Sequence, residues 1–173
     1  MVEHQRGTQS AAEFRPRAVE ASPPVGLVLE RTTYHAIEDH LRAGLPNEGC
    51  GLLATQFRGD GPERVEHFYP GRNRKSSPTA YAMDPGEVVA ALKDIDARGW
   101  RLGAIVHSHP LTPPAPSETD VRLAYYPGAL MVIVSFAQAT PEIRAWRLGL
   151  DGAIVRLAGE APIEIVDLSS PSP

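Results

Sequence analysis

The stretch LGAIVHSHPLTPPAPSETD, residues 102–120, decides how the rest of the chain is read. Leu102 to His107 is a mostly apolar run, as expected of a strand buried on both faces. Pro110 to Pro116 is a proline-rich loop, and Ser117 opens a helix expected to reach about Ala124. Ser117 followed three residues later by Asp120 is a capping arrangement.

Upstream, Asp84 is placed to cap a second helix, with Pro85 at its first position, Glu87 completing a capping box and Gly99 closing it. Val88, Leu92 and Ile95 form its apolar face. Nearer the N-terminus, a strand over Leu27–Glu30 precedes a helix from about Thr33 to Ala43, whose Tyr34, Ile37 and Leu41 share one face. Strands are expected over Gly51–Phe57 and Val65–Tyr69, joined through Gly59-Asp60-Gly61-Pro62, and a long irregular stretch runs from Pro70 to Met83. Downstream, the apolar, β-branched run Leu130–Phe136 suits a central strand. Ile143–Leu148 and Ala153–Leu157 form a hairpin turning at Asp151-Gly152. Helices interspersed with strands, but C-terminal strands in hairpins, give an α/β fold of the α+β type. Its sheet is mixed and largely antiparallel with helices packed on it, not doubly wound.

One domain is expected over 27–166, with a disordered extension over 1–26 and a flexible tail over 167–173. No apolar run approaches the roughly 20 residues that span a bilayer, and the first 26 residues lack the pattern of a signal peptide, so a cytoplasmic location is expected. Cys50 is the single cysteine, which excludes an internal disulfide. With a net charge of −4 and only Arg72, Arg74 and Lys75 clustered, neither nucleic acid nor membrane is an expected partner.

His107 and His109 flank Ser108 at a strand end, so their imidazoles point to one face and can grip a zinc ion. A His-x-His pair alone is also compatible with packing. Asp120 adds a carboxylate, and on a helix it shares a face with Ser117. Two histidines, a carboxylate and an open fourth position match a catalytic zinc rather than a structural one. Such a site needs a base, and Glu48, in Asn47-Glu48-Gly49-Cys50-Gly51, is the candidate. Its plain alternative is an exposed loop glutamate. Cys50 reads as a small core residue, and Ser108, on the opposite strand face, as structural.

Together these residues resemble the JAMM (MPN+) zinc metalloprotease family: a distant Glu, then His-Ser/Thr-His, seven residues, Ser, two residues, Asp. Here that pattern is Glu48, His107-Ser108-His109, Pro110 to Pro116, Ser117 and Asp120, and the resemblance spans about Leu27 to Val166. It implies the MPN/JAMM (cytidine-deaminase-like) fold and one catalytic Zn²⁺ held by His107, His109 and Asp120. Glu48 becomes general base and acid, and Ser117 a donor to the developing oxyanion, although its capping role competes for the same oxygen.

The short bacterial members are the most similar, through Glu48-Gly49-Cys50-Gly51, Ser77-Pro78-Thr79 and Tyr81-Ala82-Met83-Asp84. Such members act on ubiquitin-fold sulfur carriers ending in Gly-Gly, releasing cysteine or a conjugated protein. The implied partner is a carrier of that kind, with a homodimer left open. The segment Ser76, Ser77, Pro78, Thr79, Ala80, Tyr81, Ala82 and Met83 is the expected binding site for its extended tail. The rival class is a catalytically idle MPN scaffold; such domains typically lack a ligand, and here every motif position is filled. A zinc deaminase would need a Pro-Cys-x-x-Cys element that one cysteine cannot supply. Ligand type leaves iron, cobalt and nickel open beside zinc.

Overall fold

The computed structural model describes residues 22–167. Eleven elements follow in chain order: β1 (Leu27–Glu30), α1 (Arg31–Ala43), β2 (Cys50–Thr55), β3 (Glu63–Gly71), α2 (Pro85–Ala97), β4 (Arg101–His109), α3 (Glu118–Arg122), β5 (Leu130–Ser135), β6 (Glu142–Asp151), β7 (Ile154–Ala161) and β8 (Ile163–Val166). The strands form one mixed sheet in the order β7-β6-β5-β4-β2-β3-β1-β8. β2–β3, β2–β4, β5–β6 and β6–β7 pair antiparallel, while β4–β5, β1–β3 and β1–β8 pair parallel. The expected fold class is therefore what forms.

β7 and β8 stand at opposite ends of the strand order, yet only Pro162 separates them in the chain. The sheet must curl until its two edges meet at that residue. Leu27 N–H donates to the Pro162 carbonyl at 2.9 Å at this seam, while Glu63 N–H donates to Gly26 at 3.0 Å and continues the β1–β3 pairing. A Cβ on Gly26 would lie 2.7 Å from Pro162 Cγ and 2.8 Å from its carbonyl oxygen, so the close approach requires glycine.

The two faces of the sheet have different covers. On one, α1 lays Ile37 and Leu41 against Leu53, Ala104, Val106, Val132 and Val134. On the other, α2 packs Leu92 and Ile95 on Leu52 and Ala54, while Val121 and Ala124 cover Met131 and Ile133. Every residue of β2 and β5 is buried, as their apolar sequences require for central strands covered on both sides. Burying each such aliphatic side chain contributes about 1.5–3 kcal/mol before entropy is counted.

Three details differ from the sequence reading. Glu87 does not close a capping box: the Asp84 carboxylate accepts from Gly86 and Glu87 N–H, but Glu87 Oε2 accepts from Arg72 N–H at 2.7 Å. The helix start is thus stapled to the chain leaving β3, a tertiary contact that outcompetes the local one. Gly99 does follow the α2 C-cap with φ 68°, the left-handed turn that favours glycine. β8 is a strand the sequence did not announce. Four residues give too short an alternation, and its partner β1 is more than 100 residues away. Lastly, β4 extends two residues beyond His107, carrying His109 within the sheet.

Of the expected N-terminal extension, residues 1–21 lie outside the described residues, as do 168–173 of the tail. Residues 22–26 run along the body, where Arg101 donates to the Ser22 carbonyl and Arg147 to that of Val25. Among the described residues no helix is long and apolar enough to cross a membrane.

Candidate active site

The site lies where β4 ends and β2 begins. Because those strands are antiparallel, Cys50 stands opposite His107. The pairing continues one step further: Ser108 N–H donates to the Gly49 carbonyl at 3.0 Å, and Gly49 N–H donates to Ser108 Oγ at 2.8 Å. That clamp sets Glu48 beside His109. Ser108 is accordingly structural, on the face opposite the histidines, while Glu48 is 4% exposed and not the loop glutamate of the plain reading.

His107 Nε2 and His109 Nε2 converge to 3.3 Å. Asp120 brings Oδ1 to 3.5 Å from His107 Nε2 and Oδ2 to 3.4 Å from His109 Nε2. All three residues are buried. A tetrahedral ion with ligand bonds of about 2.0–2.1 Å holds its ligand atoms about 3.3–3.4 Å apart, a spacing close to that of the two imidazoles and of each imidazole with the Asp120 oxygen that faces it. His109 Nδ1 donates to the Pro113 carbonyl at 2.9 Å, which leaves Nε2 with its lone pair facing the triangle. Glu48 Oε2 is buried and has no hydrogen-bond partner among the described residues, an arrangement compatible with a carboxylate that meets a water molecule. The donor set fits a zinc ion.

Electrostatics follow from burial. It lowers the His107 imidazole despite the pull of Asp120, so His107 stays neutral, the form that ligates metal. Burial also lowers His109, but Asp120, the Pro113 carbonyl and Glu48 outweigh it and the net shift is upward. Asp120 resists the upward push of burial because both histidines and Ser117 favour its anion; it is held well below the usual carboxylate range. Burial raises Glu48 to about 7, with Asp120 adding to it and His109 opposing. A carboxylate poised near neutrality can take a proton and return it.

α3 positions Asp120. Its capping box is complete: Asp120 N–H donates to Ser117 Oγ at 3.1 Å, and Asp120 Oδ2 accepts from Ser117 N–H at 2.7 Å. Ser117 Oγ also donates to Oδ2 at 2.6 Å. The capping and metal-facing readings of Ser117-x-x-Asp120 are therefore not rivals, since one carboxylate serves both.

The proline-rich loop is fixed by three successive carbonyls. Thr112 accepts from Ser135 Oγ at 2.6 Å, Pro113 from His109, and Pro114 from Trp146 Nε1 at 2.8 Å. Ser135 and Trp146 had no signal in the sequence, because their partners are backbone atoms of a distant loop.

Beside the triangle lies a largely apolar cavity of about 540 Å³, walled by Ala80 to Met83, Val88, Ile105, Thr119, Asp120, Tyr126 and Met131. Tyr81 stacks on His107 with ring centres 4.6 Å apart. Of the segment expected to bind a tail, Ala80, Tyr81, Ala82 and Met83 line this cavity, whereas Ser76, Ser77, Pro78 and Thr79 form the turn leading to it. Cys50 is buried and its thiol is pushed up to about 12, as for an inert core residue.

Comparison with known proteins places this fold in a family. A family model described as prokaryotic homologs of the JAB domain matches residues 30–149. A CysO-cysteine peptidase of Mycobacterium tuberculosis is 34% identical over 142 residues, covering 82% of this chain and 92% of the relative. A desampylase of Haloferax volcanii is 38% identical over 106 residues, covering 58% of this chain and 73% of the relative. The solution structure of protein DSY2949 from Desulfitobacterium hafniense superposes with a TM-score of 0.70 at 36% identity, over 82% of this chain and 93% of that one. With the family pattern at Glu48, His107, His109, Ser117 and Asp120, and with that fold beneath it, the chain belongs to the prokaryotic JAB-domain family.

Proposed function

We propose that this chain is a zinc-dependent peptidase or isopeptidase that cleaves after the C-terminal Gly-Gly of a ubiquitin-like or sulfur-carrier protein in the cytoplasm. The observation that carries the reading is the buried triangle of His107, His109 and Asp120 with Glu48 beside it. The names of the relatives, a peptidase for a CysO-cysteine adduct and a desampylase, support the substrate class.

His107 and His109 through Nε2, with Asp120 through its carboxylate, would hold the ion. When bound, zinc supplies Lewis acidity that makes water nucleophilic near neutral pH and polarises the scissile carbonyl. Glu48 takes the proton of the attacking water and returns it to the leaving amine, which its raised pKa allows. Ser117 lends its hydroxyl to the developing oxyanion. Because that hydroxyl now donates to Asp120, it must change acceptor when substrate arrives. The carrier tail lies along Ser76 to Met83. The carbonyls of Ala80 and Ala82 are engaged within the loop and that of Ser77 by Glu48 N–H, so strand-like pairing with the tail centres on Tyr81.

The test is to incubate the purified chain with a Gly-Gly-ended carrier bearing a C-terminal cysteine or lysine adduct, alone, with chelator, and as Glu48→Gln. Cleavage after Gly-Gly that is abolished by chelator and reduced about 10²–10⁴-fold by Glu48→Gln is the expected result. A chain that binds one zinc but leaves both adducts intact would overturn the substrate class. A chain that neither binds zinc nor cleaves would instead be an idle scaffold.

A further inference from the structure

The link from β3 to α2, residues 72–84, is held together by one carboxamide. Asn73 Nδ2 donates to the Glu48 carbonyl at 2.9 Å and to the Ala80 carbonyl at 3.2 Å. Its Oδ1 accepts from Lys75 N–H at 2.9 Å and from Ala82 N–H at 3.0 Å. Two backbone donors face the oxygen and two carbonyls face the nitrogen, so the amide orientation is fixed by its partners.

Three of those partners, Glu48, Ala80 and Ala82, belong to the two halves of the site. Glu48 is the candidate base; Ala80 and Ala82 flank Tyr81, whose ring stacks on His107 and whose segment walls the cavity. A further bond, from Glu48 N–H to the Ser77 carbonyl at 2.9 Å, joins the same two pieces. The next residue back is tied to α2: Arg72 N–H donates to Glu87, and its carbonyl accepts from Asp84 N–H at 3.0 Å. Among the described residues Asn73 is thus the one side chain that bonds both the Glu48 backbone and the cavity wall, from a position stapled to a helix.

We infer that Asn73 is a positioning residue, which sets the Glu48 carboxylate and the substrate-binding wall Ala80–Met83 in fixed relation to each other. The inference rests on the function proposed above for its kinetic consequence, but not for its structural one. An aspartate has the same shape and keeps the two acceptor bonds. It loses both donors and turns an anion onto the carbonyls of Glu48 and Ala80, which are themselves negative ends of dipoles. Both halves of the site should loosen together.

The experiment compares the full chain with Asn73→Asp and Asn73→Ser, the serine variant retaining one donor without the added charge. Hydrogen exchange is followed on peptides covering 46–49 and 76–83, with β5 as the internal control for a folded core, and bound zinc is measured. Exchange at both peptides at least about fivefold faster in Asn73→Asp, with β5 and zinc content unchanged, is expected. On a Gly-Gly substrate, kcat should fall and KM rise, lowering kcat/KM by about 10- to 100-fold, with Asn73→Ser in between. Exchange unchanged at either peptide would overturn the inference whatever the activity. Faster exchange with kcat and KM both intact would reduce Asn73 to a structural residue and overturn it equally. Should the wild type cleave no Gly-Gly substrate, the functional reading fails, and exchange alone then decides the role of Asn73.

Discussion

Glu48 and the three candidate ligand residues, His107, His109 and Asp120, differ sharply in what the chain does to their charge. Asp120 is stabilised as an anion by two histidines and a serine, whereas Glu48, a few residues from the same histidines in space, is pushed towards neutrality by burial. That division suits one carboxylate for ligation and the other for proton transfer. Asp120→Asn should bind zinc at least about 100-fold more weakly, read by competition with a chromophoric chelator, whereas Glu48→Gln should bind it nearly as well as wild type. Equal losses in both variants would place Glu48 among the ligands. Cys50 offers a second test at this scale. Its thiol is raised by burial, with Glu87 and Glu48 adding to it, so the folded state holds the proton more tightly than the unfolded state. Its contribution to stability is then fully present below pH about 9, the ordinary thiol value, and is lost as pH rises through about 12. Thiol reagents at pH 8 should leave the native protein unlabelled and modify it once it is unfolded; rapid native labelling would contradict the burial.

At the scale of elements, α3 and the loop before it act as one bracket. Five residues are too few for a helix to be stable alone, so α3 depends on its capping box and on its apolar side packed over β5. Ser117→Ala removes the cap. It should cost about 1 kcal/mol, seen as a thermal midpoint roughly 2–4 °C lower, in the metal-free protein where ligation cannot compensate. A midpoint unchanged without metal would mean that Ser117 serves chemistry only. The same bracket explains what the sequence could not say about this region. The motif Ser117-x-x-Asp120 announced a helix start, but the carbonyls of Thr112, Pro113 and Pro114 are held by Ser135, His109 and Trp146 from three different places. Nothing local to Ser135 or Trp146 marks them for that task. Glu87 shows the converse: a good local capping signal is present, yet the carboxylate serves the chain leaving β3 instead.

At the scale of the whole molecule, the curled sheet closes where Gly26 meets Pro162, and the candidate metal triangle closes where β4 and α3 meet. The two closures test separately. Gly26→Ala places a methyl against the Pro162 ring and carbonyl and should destabilise the fold by about 1–3 kcal/mol in urea titration, without loss of zinc affinity. If stability is unchanged, the seam is looser than its contacts. If zinc is held where β4 and α3 bring His107, His109 and Asp120 together, it should stabilise the folded chain by mass action. At about 100 times its dissociation constant the gain is about 2.7 kcal/mol, and chelator should lower the thermal midpoint by roughly 5–10 °C. No change on chelation would argue against a folded-state zinc site.

The sequence by itself determined the strand–loop–helix unit of residues 102–120, the shared face of His107 and His109, and the α2 start at Asp84-Pro85. Periodicity, turn chemistry and capping act within a few residues, so they are written in consecutive letters. It also named Glu48 as the candidate base, but it took the family pattern to decide against the plain reading of an exposed loop glutamate. The tertiary structure alone decided that Glu48 is buried beside His109. The reason is the antiparallel register of β2 on β4, locked by Gly49 and Ser108 across a separation of 59 residues. Likewise β8, the seam at Pro162 and the bond from Asn73 to the Glu48 carbonyl depend on pairings between segments well separated in the chain. Such contacts form only when the whole sheet closes, and no short window of residues contains the energy that selects them.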